Sequence, residues 1–429
     1  MDVIEQERKS YMVPGVVGLL NIGNTCYLNS ALQCLLATDT FVAYLIGSDG
    51  DGKDANYKND LMSSTRDKIA KKENCERKDV KDKILYKTFK STLTYSLRRL
   101  FVVIYGENCK IRPKSFKETL DKKNPLFEGY MQHDSQECLS FILEKIHDET
   151  MRPCSVEFQN VPGEVTNYVE CYRYLIELLS SNCDPQEKRA RYIDYMDFRK
   201  DKMNYDVFAR NLIFWQDLLK NNNSVINNIF SGSFIQQIQC NECKNVSVNF
   251  ESYNIIPLSL STPPVFTLSN LMSNESKESS VSIYECFNDF FNKQEILSNE
   301  NMYNCEYCKK KCDAIKSTKL YDTPPRLIIQ LKRFLNAKSK NTITVNFPIK
   351  NLQLGMFMSE YLREEPVYDL YAVIMHKGGI QGGHYIAYTK NIVNGLWYMY
   401  DDATVIHIPD SEIEKIINSY AYILFYKKR

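Results

Sequence analysis

Five polar side chains in this chain are of the types that cleave an acyl bond through a thiol: Cys26, Asn21, His384, Asp401 and Asp402. A cysteine becomes a working nucleophile when an imidazole takes its proton and a carboxylate holds that imidazole in one tautomer and orientation. Asn21 stands five positions before Cys26, near enough to aim its amide at the same reacting carbon. A second set, the Cys-x-x-Cys pairs Cys240/Cys243 and Cys305/Cys308, offers four thiolates that suit one tetrahedral zinc ion.

Each group needs an element to position it. In the stretch from Gly18 to Ser30, Gly23 and Asn24 favour a tight turn. Tyr27, Leu28, Ala31, Leu32, Leu35 and Leu36 then recur at helical spacing, predicting a helix that runs to about Ala37. Cys26 falls at the N-terminus of that helix, where free N–H groups and the positive dipole end favour a thiolate. Taken alone, such a cysteine is more often a small buried hydrophobe.

Near the other end, Val367 to Met375 alternates as a strand does. The glycine-rich loop from Gly378 to Gly383 leads into a second strand, His384 to Tyr388. A turn at Asn394 and Gly395 precedes a third, Trp397 to Tyr400, followed by Asp401 and Asp402. This hairpin predicts that His384 and Asp401, 17 apart in sequence, lie close in space. His384 could then take the Cys26 proton while Asp401 orients the ring. Singly, His384 reads as a structural histidine and the two aspartates as a turn.

The two cysteine pairs sit on predicted turns between strands, separated by 61 residues, so only the fold can bring them together. Free surface thiols and a redox Cys-x-x-Cys are the competing readings, although a redox motif would more naturally follow a strand in a βαβ unit. Cys312, four beyond Cys308, reads as a bystander.

Composition narrows the classes. The 429 residues are 44% hydrophobic and 25% charged, as in an ordinary globular protein. Fifty-four basic against 53 acidic residues leave a net charge of +1, which disfavours nucleic acid or a membrane as the main partner. No apolar run reaches the ~18 residues of a membrane span, and the first ten residues lack the apolar core of a signal peptide. The 14 cysteines are therefore expected to be reduced thiols, in a cytoplasmic or nuclear protein.

Along the chain, residues 1–15 read as a short lead-in, and Gly47 to Lys58 and Thr262 to Ser282 as polar loops. Arg66 to Arg99 is basic, twelve Lys and Arg against five Asp and Glu, and reads as a solvated helix face. Asp134 is placed to cap a helix carrying Cys138, Leu139, Ile142, Leu143 and Ile146. Residues 153–228 read as an inserted helical hairpin or small subdomain. From Phe230 onwards the pattern turns to strands, with an amphipathic helix expected from Ile283 to Leu297 and a buried strand after Pro324 and Pro325. Internal repeats are not evident.

Taken in order, these motifs resemble the ubiquitin-specific proteases. The resemblance rests on the box around Cys26, the run Gln132-His133-Asp134-Ser135-Gln136-Glu137, the strand Leu327 to Phe334, the Gly-His-Tyr box at His384, Trp397 to Asp402, and the last strand, Ala421 to Tyr426. It spans about residues 16–428, essentially the whole chain. The resemblance implies an α+β, papain-like cysteine protease fold with a helical thumb (about 16–150), the helical insertion (153–228), and β-rich fingers and palm (about 229–428).

It further implies a deubiquitinating thiol hydrolase acting at the C-terminal glycine of ubiquitin, on ubiquitin and ubiquitinated proteins. Cys26 would be the nucleophile, His384 the base and acid, Asp401 the orienter, Asn21 the oxyanion stabiliser and Asp402 a support. By the same resemblance Gln132, Asp134, Gly383 and Tyr385 would contact ubiquitin, and structural zinc on Cys240, Cys243, Cys305 and Cys308 would tie the fingers. His133 falls inside the binding motif and is not expected to be the base; His376 and His407 are expected to be structural or surface residues. A monomeric catalytic domain is expected. Three alternatives stay open: a ubiquitin-binding scaffold with little activity, a protease for another ubiquitin-like modifier, and a zinc protein that binds nucleic acid.

Overall fold

The computed structural model describes residues 13–47, 57–106, 110–157, 161–260, 280–336, 339–362, 364–379 and 382–429. The lead-in before residue 13, and most of the predicted loops at 47–58 and 262–282, lie outside these residues.

The helix Cys26–Leu36 is buried along all eleven residues, between the other helices of its layer and a large sheet. Its entry turn uses positive φ at Gly23 (116°) and Asn24 (52°), conformations that glycine and asparagine adopt at least cost. On one side lies the helix Ser135–Thr150, whose N-cap is Asp134, its carboxylate accepting from Gln136 N at 2.7 Å. Among the described residues, further helices in this layer are Asp39–Ile46, Tyr57–Glu73, Asp82–Lys90, Leu93–Gly106, Lys114–Lys123 and the short Val225–Phe230. Glu149 is buried among them and accepts from the Leu93 and Thr94 amides, giving one helix start its missing acceptors.

On its other side the buried helix rests on an eight-stranded sheet. The strand order is Thr404–Ile408, Trp397–Asp401, Gly383–Lys390, Val367–Gly378, Ala421–Lys428, Arg326–Lys332, Ile255–Ser259, with Leu352–Gln353 added to Val367–Gly378. All of these pairs are antiparallel except Ile255–Ser259 with Arg326–Lys332. Arg326–Lys332 lies inside the sheet, and Leu327, Ile328 and Ile329 feed the cores on both faces, which is why its sequence is a continuous apolar run. Leu28, Leu32 and Leu35 share one core with Ile374, Ala387, Tyr400 and Phe425. Asp39, at the first turn of its helix, ties the helical layer to the sheet by accepting from Arg326 Nε at 3.2 Å and Lys427 Nζ at 2.8 Å.

A second sheet forms an arm, ordered Val246–Tyr253, Gly232–Cys240, Ala314–Asp322, Glu295–Leu297. The sequence between residues 153 and 228, expected as a helical hairpin or small subdomain, forms three long helices, Gly163–Ser180, Pro185–Phe198 and Met203–Asn222. They lean on the arm. Trp215 Nε1 and Asn211 Nδ2 donate to Asp322 at 2.7 and 2.8 Å, and Arg199 donates to the Val246 carbonyl. Within the insertion, buried Asp206 is paired with Arg199 and Arg210, which offsets the cost of burying its charge.

One expected element differs. The helix predicted from Ile283 to Leu297 ends at Phe291, and Glu295–Leu297 is a strand of the arm. Ser282 and Glu285 form a capping box that fixes the helix start. The apolar residues after Phe291 follow the sheet because strand pairing with Ala314–Lys316 supplies their backbone partners.

Candidate active site and metal centre

Cys26 is the first residue of its helix and is 3% exposed, directly beneath the strand that begins at Gly383. Sequence reasoning placed it where a thiolate should be favoured. Here the structure corrects that expectation. Burial pushes the Cys26 thiol above its ordinary value; hydrogen bonding from the backbone at Tyr385 and Tyr27 works against this, and the Asp402 charge adds to the rise. The helix N-terminus is present, but the covering strand removes the water that would solvate the anion.

His384 and Asp401 meet as the hairpin predicts. Gly383–Lys390 pairs with Trp397–Asp401 in the register Ala387 with Tyr400, and the turn between them is closed by Gly395, at φ 70°. His384 opens one strand and Asp401 closes the other. His384 Nε2 lies 2.6 Å from Asp401 Oδ1, both side chains being about two-fifths exposed. With Nε2 engaged by the carboxylate, Nδ1 is the ring nitrogen available to a second partner.

Asp402 has a different set of partners. Its φ is 48°, a left-handed turn, and its carboxylate reaches into the Cys26 turn while one of its oxygens stays within 4.8 Å of the His384 and Asp401 polar atoms. Oδ2 accepts from Asn21 Nδ2 at 2.9 Å, Oδ1 accepts from Asn29 Nδ2 at 2.7 Å, and the backbone carbonyl accepts from Leu19 N at 2.9 Å. Asn21 Oδ1 in turn accepts from Gly23 N and Thr25 N at 3.0 and 3.1 Å, holding the turn before Cys26. Gly18 runs so close to Ala403 that a Cβ would strike its carbonyl, so the two segments are in backbone contact.

The four residues expected to contact ubiquitin surround this centre in different ways. Gln132 is exposed and spans to Gly383: its Nε2 donates to the Gly383 carbonyl at 3.2 Å, and its Oε1 accepts from Gly383 N at 3.4 Å. Gly383 lies on His376, with no space for a Cβ. Asp134 accepts from Tyr422 OH at 2.7 Å as well as capping its helix, and burial raises its carboxyl above the ordinary value. Tyr385 is 6% exposed, its ring tilted against His376 and Tyr422, and it is its backbone that meets Cys26.

Three further histidines pack against aromatic rings. His133 packs edge-on against Tyr27 and Phe127, and His376 is buried and pushed to about 4 by burial together with the nearby Lys340 and His384 charges. His407 packs on Tyr398. Asn29 and Tyr422 were missed from sequence: an asparagine and a tyrosine within apolar runs carry no sign of the partners that the fold gives them.

At the far end of the arm, the sulfurs of Cys240, Cys243, Cys305 and Cys308 all lie within 4.8 Å of one another, with Cys240–Cys308 at 4.0 Å and Cys243–Cys305 at 3.7 Å. A zinc ion at ~2.3 Å from each sulfur would space the sulfurs about 3.8 Å apart. The donor set fits zinc in type, number and spacing. Cys312 is buried beside it, with its sulfur within 4.8 Å of Cys308 and a Glu242 oxygen, so it is no isolated bystander.

A family model described as ubiquitin carboxyl-terminal hydrolase matches residues 17–426. Among curated proteins, the chain is 29% identical to a probable ubiquitin carboxyl-terminal hydrolase R319 of Acanthamoeba polyphaga mimivirus, over 96% of this chain and 90% of that one. It is 26% identical to human ubiquitin carboxyl-terminal hydrolase 2, again over 96% of this chain but only 55% of the human protein. The chain thus spans about half the length of that cellular relative. Among solved structures, a chain of the SAGA Ubp8/Sgf11/Sus1/Sgf73 DUB module bound to ubiquitin aldehyde superposes with a TM-score of 0.58 at 22% identity, over 98% of this chain and 72% of that one. The fold is shared.

Proposed function

The chain belongs to the ubiquitin carboxyl-terminal hydrolases, cysteine-type deubiquitinases, and from that premise we propose that it cleaves the isopeptide or peptide bond at the C-terminal glycine of ubiquitin, with Cys26 as nucleophile. The observation that carries this reading is the 2.6 Å pair of His384 with Asp401, held on the strand that covers the Cys26 helix.

In this reading His384 Nδ1 takes the thiol proton as the Cys26 sulfur attacks the terminal glycine carbonyl. A raised thiol pKa suits proton transfer coupled to attack rather than a standing thiolate. The charge that develops on the carbonyl oxygen is met by Asn21 Nδ2, one of whose two hydrogens is already fixed by Asp402, and by N–H groups at the helix start. His384, now protonated and steadied by Asp401, gives its proton to the departing lysine amine. Water activated by the same imidazole then breaks the thioester and releases ubiquitin.

Gln132 and Gly383 are read as the two sides of the channel for the extended glycine tail, with Asp134 and Tyr385 shaping its floor. Zinc held by the four arm cysteines would be structural, fixing the arm on which the globular body of ubiquitin rests. We place the protein in the cytoplasm or nucleus, acting as a monomer.

Release of a fluorophore from the ubiquitin C-terminus tests the reading, with a SUMO conjugate and Cys26→Ala alongside. Turnover of the ubiquitin conjugate, absent in Cys26→Ala, is the expected result. Binding without turnover would replace the enzyme by a scaffold, and turnover of SUMO alone would keep the chemistry and change the substrate.

A further inference from the structure

We propose that Lys340 is a positioning residue for His384, holding the end of the strand Val367–Gly378 in place of a missing neighbouring strand. The argument starts from the ladder. On one side, Val367–Gly378 pairs with Gly383–Lys390, and Lys377 lies opposite His384. On the other side it pairs with Ala421–Lys428, whose register ends at Met375 with Ala421. His376 N still donates to the Tyr420 carbonyl at 2.8 Å, so the backbone of His376 faces that second side. In a strand the N–H and C=O of one residue point the same way, and residues two apart repeat the direction. The carbonyls of His376 and Gly378 therefore face away from His384's strand, beyond the point where the second neighbour stops.

Lys340 fills that gap. Its Nζ donates to the His376 carbonyl at 2.8 Å and to the Gly378 carbonyl at 2.9 Å. It is delivered by Ser339–Lys340, which pairs with Phe334–Asn336, and the Phe334 ring packs on His376. Arg333, next to Phe334, serves the adjoining strand in the same way by donating to the Ala421 carbonyl. Burial and the Arg333 charge push the Lys340 amine down to about 8, the cost of keeping it at this post.

The two carbonyls that Lys340 binds flank Lys377, the residue opposite His384. Immediately beyond, Gly378 turns at φ 94° and Gly379 N donates to the Gly382 carbonyl at 3.1 Å, so the chain reverses into the strand that starts with Gly383 and His384. A strand end tied on one side only would fray, and the imidazole carried on the paired strand would lose its placement. Lys340 touches no reacting atom; it acts through the backbone.

This inference rests on the catalytic reading of His384, so its test needs a readout that does not depend on turnover. Lys340→Met and Lys340→Arg would be compared with the wild-type chain for ubiquitin–fluorophore release, ubiquitin binding, melting temperature and hydrogen exchange at the Gly379 and Gly383 amides. The expected result is a tenfold or larger fall in kcat for Lys340→Met with unchanged binding and melting, faster exchange at both amides, and recovery of most of the rate by Lys340→Arg. Unchanged exchange, or a kcat within twofold of wild type, would overturn it. So would losses of rate, binding and melting temperature in step, which mark a general structural role. Faster exchange in Lys340→Met beside a wild-type chain that turns nothing over would leave the placement standing and remove the proposed function instead.

Discussion

The Asp402 carboxylate accepts a hydrogen bond from Asn21 Nδ2 at 2.9 Å, joining the two ends of the chain across 381 positions. Its other oxygen holds Asn29, on the helix that Cys26 begins. Two adjacent aspartates therefore divide the work: Asp401 addresses the imidazole, and Asp402 addresses the turn that carries the amide and the thiol.

That division predicts separable defects. Asn21→Ala should lower kcat by on the order of 10²–10³ with ubiquitin affinity retained, the loss typical of one oxyanion donor. Asp402→Ala should lower it too, and adding Asn21→Ala to Asp402→Ala should cost much less than the product of the two. Steady-state rates for the four proteins check this, and full additivity would mean that the two residues act apart.

The Cys26 thiol lies above its ordinary value of 9.0 because burial disfavours the anion. Alkylation by iodoacetamide, followed on the Cys26 peptide by mass spectrometry, should therefore keep rising as pH is taken from 6 to about 9. A plateau reached near neutrality would show a standing thiolate and contradict the burial argument.

Four sulfurs at zinc spacing predict one zinc per chain. Cys240 ends the strand Gly232–Cys240, and both flanking strands of the arm pair with it. Cys240→Ala, or chelation, should release the metal and loosen the arm, raising hydrogen exchange there more than in the eight-stranded sheet. Metal analysis that finds no zinc in the purified wild-type protein would refute the assignment.

Gly383 has no room for a Cβ because the His376 ring, and behind it the Lys377 carbonyl, fill the space. Gly383→Ala should cut kcat about 100-fold by displacing the start of the histidine strand, since a misplacement of ~1 Å is enough for such a loss. Adding His376→Ala should restore a large part of the rate. If the double variant is no better than Gly383→Ala, the His376 ring is not the main obstacle.

Asp39 joins the helical layer to the sheet. Burial would raise its carboxyl, but hydrogen bonds from Lys427 and Arg326 outweigh that and hold it below the ordinary 3.8. A depressed carboxyl contributes stability above the unfolded-state value, and that stability is lost as pH falls through the folded one. Asp39→Asn should cost about 1 kcal/mol at pH 7, discounted for its partial exposure, and the cost should shrink on acidification below pH 4. Urea midpoints at pH 7 and pH 3.5 test the sign.

Much of the centre was legible in the sequence because its cues are local. Apolar spacing from Tyr27 to Leu36 and the Gly23–Asn24 turn announce the buried helix, and alternation around an Asn-Gly turn announces the hairpin that pairs His384 with Asp401. The Cys-x-x-Cys pairs announce a metal by their spacing alone. Tertiary structure decided the rest. The cysteine pairs, about 60 residues apart, converge because the arm sheet sets Cys240 opposite Ala314, and the helical insertion is docked on that arm because Asp322 and Val246 accept from Asn211, Trp215 and Arg199. Whether Cys26 favours a thiolate depends on which strand covers it. Whether Asp402 serves the imidazole or Asn21, and which carbonyls Lys340 reaches, depend on groups hundreds or tens of residues away. Periodicity and turn chemistry act over a few residues and can be read from their order; desolvation and long-range hydrogen bonds exist only once the chain has closed on itself.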